Sequence, residues 1–170
     1  MVCLKHNGSI DLLLTFLRKG HDTRTTFMIR HIPNEYTQKM LQQSVDATNY
    51  GTYDFLYLPI DYQTKSNRGY AFINFIDTKS VIPFAQQRSG RRWYVWKLHK
   101  DRCSLSYANI QGKEALVEEF RNSTVMDGDP STRPMIFYVS GPHKGEQQPF
   151  PEPTETHHYQ GRRKRRRRFT

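Results

Sequence analysis

Cysteine is almost missing from this chain: Cys3 and Cys103 are the only two in 170 residues, in unrelated contexts, with no CxxC spacing and no periodic histidine companions. That scarcity argues against a disulfide scaffold or a zinc site, and a reducing intracellular setting is the default expectation. His157 and His158 adjoin in a polar stretch, where two histidines are more often solvated than metal-bound. Long apolar runs are lacking too. The best, Ile10 to Leu17, is too short to span a bilayer, is interrupted by Asp11 and Thr15, and lacks the small-residue cleavage pattern of a secretory signal, so no membrane partner is expected. There is no glycine-rich phosphate loop, and no serine, cysteine, histidine or carboxylate set has catalytic spacing. An enzyme, a cofactor and a metal are therefore unexpected.

Apolar content is also modest, 36% with a mean hydropathy of -0.80, although 10 Phe, 10 Tyr and 2 Trp supply aromatic area. The length suits one domain with tails. Lys and Arg number 26 against 16 Asp and Glu, a net of +10, but seven of those charges lie in one run, Arg162, Arg163, Lys164, Arg165, Arg166, Arg167 and Arg168. Residues 1–161 hold 19 basic and 16 acidic groups, so the excess belongs to the tail rather than the domain. The run reads as a nuclear import signal, a nonspecific phosphate clamp or a solubilising stretch, of which the first two are compatible. The expected location is the nucleus, with shuttling to the cytoplasm, and an import receptor is an expected partner of the tail.

Along the chain, residues 1–24 form a lead-in whose Leu12, Leu13, Leu14, Phe16 and Leu17 either pack on the domain or belong to the edge of a larger neighbour. Thr25 to Ile32 reads as a strand stopped by Pro33. Thr37 caps a helix to about Ala47, with Met40, Leu41 and Val45 inward, and Gly51 ends it. Tyr53 to Ile60 is extended, with Leu56, Leu58 and Ile60 on one face and Phe55, Tyr57 and Pro59 on the other. After the polar loop 61–67, Arg68 to Phe75 is a third strand. Val81, Ile82 and Ala85 have helical spacing, and Pro83 favours a start at Ser80 that keeps the proline in the first turn. Gly90 closes that helix, Arg91 to Asp101 is a small hairpin or loop, and Arg102 to Tyr107 is a fourth strand with Cys103 and Leu105 inward. Gln111 to Asn122 carries Leu116, Val117 and Phe120 on one side of a third helix. Pro134 to Ser140 is one more strand-like run. Residues 141–170, rich in Pro, Gly, Glu, Gln and Arg, read as disordered.

Strand, helix, strand, strand, helix, strand is an α+β order. It builds a ferredoxin-like βαββαβ sandwich: a four-stranded antiparallel sheet with both helices on one face. The expected divisions are the lead-in 1–24, the domain with its helical extension 25–140, and the tail 141–170 with the basic cluster 162–168.

Function is carried by the octamer Arg68, Gly69, Tyr70, Ala71, Phe72, Ile73, Asn74, Phe75, which matches the RNA recognition motif signature [KR]-G-[FY]-[GA]-F-[VI]-x-[FY] throughout. The two-residue period puts Arg68, Tyr70, Phe72 and Asn74 on the open face. Exposed rings there stack on unpaired bases while a guanidinium meets phosphate, at about 1–3 kcal/mol per base stacked. The alternative is that Tyr70 and Phe72 are ordinary sheet aromatics covered by another part of the chain. On the first strand Met28 stands where the matching hexamer usually has a ring, and methionine lies against a base less selectively. Arg30 adds electrostatic grip, Lys97 is a candidate backbone contact, and Tyr57 either offers a further stacking surface or simply fills its strand. Ser104 and Ser106 are small enough to leave room for a nucleotide.

The segments Met28 to Pro33, Asp54 to Asp61, Gly69 to Phe75, Ser104 to Gly112 and Pro149 to Pro151 resemble the C-terminal RNA recognition motif of the Mei-two-like proteins, the meiosis regulators of fungi and plants. The resemblance spans roughly residues 24–151. It implies RNA binding, a role in meiotic or developmental post-transcriptional regulation, and a helix near 111–122 belonging to the extended domain. It also implies a packing role for Trp93. The family pattern usually has Asn where this chain has His31. Two readings follow: a single-stranded RNA-binding module, or a protein-interaction module on the same fold with its sheet face covered. Whether the 111–122 helix covers that face, and whether the chain is part of a longer protein, stay open at this level.

Overall fold

The computed structural model describes residues 14–15, 17–93 and 102–154. Period-two apolar runs become strands and 3.6-period runs become helices in the expected order: β1 (Thr26–Arg30), α1 (Gln38–Asn49), β2 (Tyr53–Tyr57), β3 (Tyr70–Phe75), α2 (Thr78–Arg88), β4 (Ser104–Tyr107) and α3 (Lys113–Arg121). Two short 3-10 turns, Thr124–Asp127 and Pro130–Thr132, lead on to β5 (Met135–Phe137) and β6 (Gln147–Gln148). This is the βαββαβ core with a C-terminal extension.

The sheet differs from the four-stranded expectation. It has six strands in the order β4-β1-β3-β2-β5-β6, because β5 pairs antiparallel with β2 and β6 with β5. Residues 141–154, expected to be disordered, supply β6 and the segment after it; Phe150 packs on an apolar cluster, which no compositional reading of a polar, proline-rich stretch reveals. Residues 1–13 and 155–170, with Cys3, the histidine pair and the basic run, lie outside the described residues.

Local signals explain the helix ends. Thr37 Oγ1 accepts from Met40 N at 3.2 Å, and α1 runs to Asn49 before Gly51 turns the chain at φ 69°, a left-handed value that suits a residue without Cβ. At α2 the cap is Asp77, not the Ser80 start: its carboxylate accepts from Ser80 N at 2.7 Å and leaves Pro83 inside the helix. The proline removes one backbone donor, and burial of Val81, Phe84 and Ala85 holds the helix together around it.

The main core lies between the sheet and the two packed helices. Phe27, Ile29, Leu56, Ala71, Ile73, Phe75 and Leu105 meet Leu41, Val45, Val81 and Phe84 there, all 1% exposed or less. Cys103 is a buried free thiol in the same core, as its parity with Leu105 indicates. Leu14 and Leu17 of the lead-in also reach it, and Trp93 packs edge-on to Tyr36 at 5.3 Å between centroids. Among the described residues no helix is long and apolar enough to cross a membrane, and no group of three or more metal-ligating side chains gathers.

Candidate nucleic-acid interface

Strand register arranges the face opposite α1 and α2 in rows. Met28 stands between Ser106 on β4 and Phe72 on β3, with Tyr57 on β2 beyond Phe72. The next row runs Ser104, Arg30, Tyr70. The row on the other side runs Thr26, Asn74, Phe55, Ile136. A bulge between Tyr53 and Phe55 sets this last row. Without it the two aromatics would share a face. With it Tyr53 sits in the helix-side core, its hydroxyl donating to Asp46 Oδ1 at 2.7 Å, while Phe55 turns to the opposite side.

That opposite side is divided. Helix α3 lies across its β2 and β5 half, where Leu116 is buried with Phe55, Tyr57 and Ile136. Phe120 stacks on Phe55 at 5.8 Å and meets Tyr57 edge-on at 4.9 Å. Phe150 joins from the chain beyond β6, and that segment straps the helix down. Arg121 donates to Glu152 O at 2.9 Å, Asn122 Nδ2 to Thr154 Oγ1 at 3.0 Å, and Lys113 Nζ to Gln148 Oε1 at 2.9 Å. The apolar stripe of α3 thus meets the sheet, the question that its periodicity leaves open.

The β4, β1 and β3 half is open. Met28, Arg30, Tyr70, Phe72 and Ser104 are half-buried there. Tyr70 and Phe72 meet edge-on at 5.7 Å, Phe72 also touching the cluster under α3. Arg30 Nε donates to Ser106 Oγ at 3.1 Å, which holds the guanidinium over β4. Arg68 is exposed, its nearest carboxylate being Asp61 at 3.8 Å. His31 follows β1 with φ 61°, and its Nδ1 lies 2.9 Å from Arg102 O. Left-handed backbone of this kind is uncommon outside glycine, and His is among the residues that tolerate it.

Two of the expected contact residues are not presented to solvent. Tyr57 is 6% exposed beneath Phe120, and burial pushes its phenol up to about 12, with Arg68 opposing. Asn74 is 4% exposed and engaged at both ends of its amide: its Oδ1 accepts from Thr26 Oγ1 at 2.7 Å and Thr25 Oγ1 at 2.9 Å, and its Nδ2 donates to Asp54 at 2.8 Å. Lys97 and the tail residues Arg162 to Arg168 lie outside the described residues.

Reasoning from sequence also passes over Gln111. Its Oε1 accepts from Thr25 N at 3.1 Å and Thr26 N at 3.0 Å, and its Nε2 donates to Thr26 O at 2.8 Å and Ala108 O at 2.9 Å. Gly112 N then donates to Thr26 Oγ1 at 2.8 Å, so the start of α3 is fixed to β1. The only local hint is a polar residue before a glycine that opens an amphipathic run.

The sequence has counterparts among known proteins. Residues 24–121 match the model of the family described as RNA recognition motif 2. The chain belongs to that family. The domain is homologous to the Mei2-like meiosis regulators: it is 56% identical over 137 residues to the "Meiosis protein mei2" of Schizosaccharomyces pombe, covering 81% of this chain and 18% of that protein. It is 50% identical over 141 residues to the "Protein MEI2-like 2" of rice (Oryza sativa subsp. japonica), covering 83% of this chain and 16% of that one. The chain therefore spans under a fifth of the length of either relative. Among solved structures, "Structure of Rna15 RRM with bound RNA (GU)" is similar at a TM-score of 0.43 and 21% identity, covering 55% of this chain and 93% of that one.

Proposed function

We propose that this protein binds single-stranded RNA on the open half of its sheet. The observation that carries the reading is the half-exposed pair Tyr70 and Phe72, adjacent on β3 with Met28 across from Phe72 and Arg30 across from Tyr70. Two unpaired bases stack on the rings, Met28 lies against one of them, and Arg30 and Arg68 meet the backbone, with Lys97 a further contact. Tyr57 and Asn74 act indirectly, supporting Phe72 and the start of α3 from below. The octamer and the family membership support the same reading. The Mei2-like relatives extend it to meiotic or developmental post-transcriptional regulation in the nucleus, with Arg162 to Arg168 engaging an import receptor and permitting exchange with the cytoplasm.

The test is Tyr70→Ala with Phe72→Ala in the full chain, titrated with a labelled single-stranded RNA. Loss of two stacked bases weakens binding by about 2–6 kcal/mol, at about 1–3 per base. Unchanged affinity in a folded variant sinks the reading. One observation favours a second reading: α3 already seals the β2 half of the face, as a protein-interaction module with a covered sheet requires. On that reading the same variant loses a protein partner while RNA binding persists.

A further inference from the structure

The cationic end of the open face continues beyond β1 and β3 onto the segments flanking the start of β4. Arg92 and Arg102 are partners in an isolated antiparallel bridge. Two backbone bonds beside it hold the strands together: Gly90 N donates to Cys103 O and Cys103 N to Arg91 O, both at 2.8 Å. Side chains alternate along such a ladder. Trp93 on one side and Cys103 on the other are buried in the helix-side core, so Arg92 and Arg102 fall on the opposite face, the face of Ser104, Ser106 and Arg30. Both are exposed. Arg102 Nη1 donates to Gly90 O at 2.8 Å, and the contact of its carbonyl with His31 ties the ladder to the end of β1.

Two cations directly opposite each other on paired strands repel, and beyond the one bond from Arg102 to Gly90 O the fold gains nothing from the pairing. An anion between them reverses the sign, and the planar guanidinium suits a phosphate in particular. The rest of the face directs a strand the same way. Helix α3 and Phe150 close the β2 side, so the backbone of an RNA stacked on Tyr70 and Phe72 has the β4 side left to it.

We infer that Arg92 and Arg102 form a phosphate clamp at the β4 edge, taking the RNA backbone on the side away from α3. The inference rests on the RNA-binding reading above. Its test is Arg92→Gln with Arg102→Gln in the full chain, titrated with a fluorescein-labelled octauridylate by anisotropy between about 50 and 200 mM KCl. The plot of log affinity against log salt becomes shallower by about 1.4, at about 0.7 per phosphate contact on a single strand. Arg91→Gln, which removes the same charge at the opposite parity, leaves the slope nearly at its parent value. A double variant that keeps the parent slope overturns the clamp, and so does an Arg91→Gln effect equal to that of either clamp arginine. Arg92→Gln alone melts no lower than the parent, since a repulsion is removed while the Arg102 bond to Gly90 O is kept, and a marked fall would show that the pair is structural instead. Tyr70→Ala with Phe72→Ala in the same titration separates the two readings, because it lowers affinity at every salt concentration without changing the slope. If those aromatics prove dispensable while the slope still drops in the arginine variant, the stacking reading fails and the phosphate clamp stands.

Discussion

Asn74 shows how a single side chain can obey its strand parity and still do different work from the one its motif suggests. Alternation puts it on the face of Tyr70 and Phe72, but two threonine hydroxyls and the Asp54 carboxylate take up its amide. Asn74→Ala leaves those partners unsatisfied in a buried place and lowers stability by about 1–3 kcal/mol, read by urea unfolding. Asp54 carries a pH signature. Burial raises its carboxyl above the usual range, while the Asn74 amide and Lys113 pull it back. A carboxyl with a raised value binds its proton more tightly folded than unfolded, so the stability it contributes is present at low pH and lost as pH rises through that value. Asp54→Asn, which keeps an acceptor for Asn74, therefore gains more stability over the parent at about pH 7 than at about pH 4 in parallel denaturation curves. The parity of Asn74 was legible in the sequence. Its partners were not, because they lie 49, 48 and 20 residues away along the chain.

Helix α3 raises the same issue one level up. Its stripe of Leu116, Val117 and Phe120 announced an amphipathic helix, but a stripe does not say what it packs against. The answer depends on β5 adding to β2 and on the strap through Phe150, both non-local. Leu116 is 1% exposed, and Leu116→Ala costs about 2–5 kcal/mol, with the spread set by how far α3 can settle onto Phe55. Loosening the strap by Asn122→Ala with Phe150→Ala acts differently. The core beneath α1 and α2 stays intact, while cleavage within residues 113–121 under limited proteolysis speeds up, because opening becomes local rather than global. The start of α2 teaches a related lesson: Pro83 pointed to Ser80, whereas Asp77, a strong cap with a carboxylate in reach of Ser80 N, decided the boundary.

At the scale of the molecule, the order of elements and the helix-packed core could be read in advance, since period-two and period-3.6 runs alternate with clear stops. The extra strands could not, because a three-residue strand and a pair of glutamines carry no period. The charge is divided as the arithmetic indicated, with a nearly neutral domain and a cationic tail. Deleting Arg162 to Arg168 lowers the salt dependence of RNA binding by about 0.7 for each phosphate that the tail neutralises. Base preference, measured by crosslinking and sequencing of bound RNA, stays with the sheet. The far edge of that sheet has its own consequence. It ends on Gln147–Gln148, and Pro149, Pro151 and Pro153 follow at every second position. Prolines so spaced withdraw backbone donors from one side of the chain leaving the edge, and a short polar strand offers an incoming segment little to pair with. A second copy meeting this edge thus finds few backbone groups to pair with, which disfavours β6-to-β6 association.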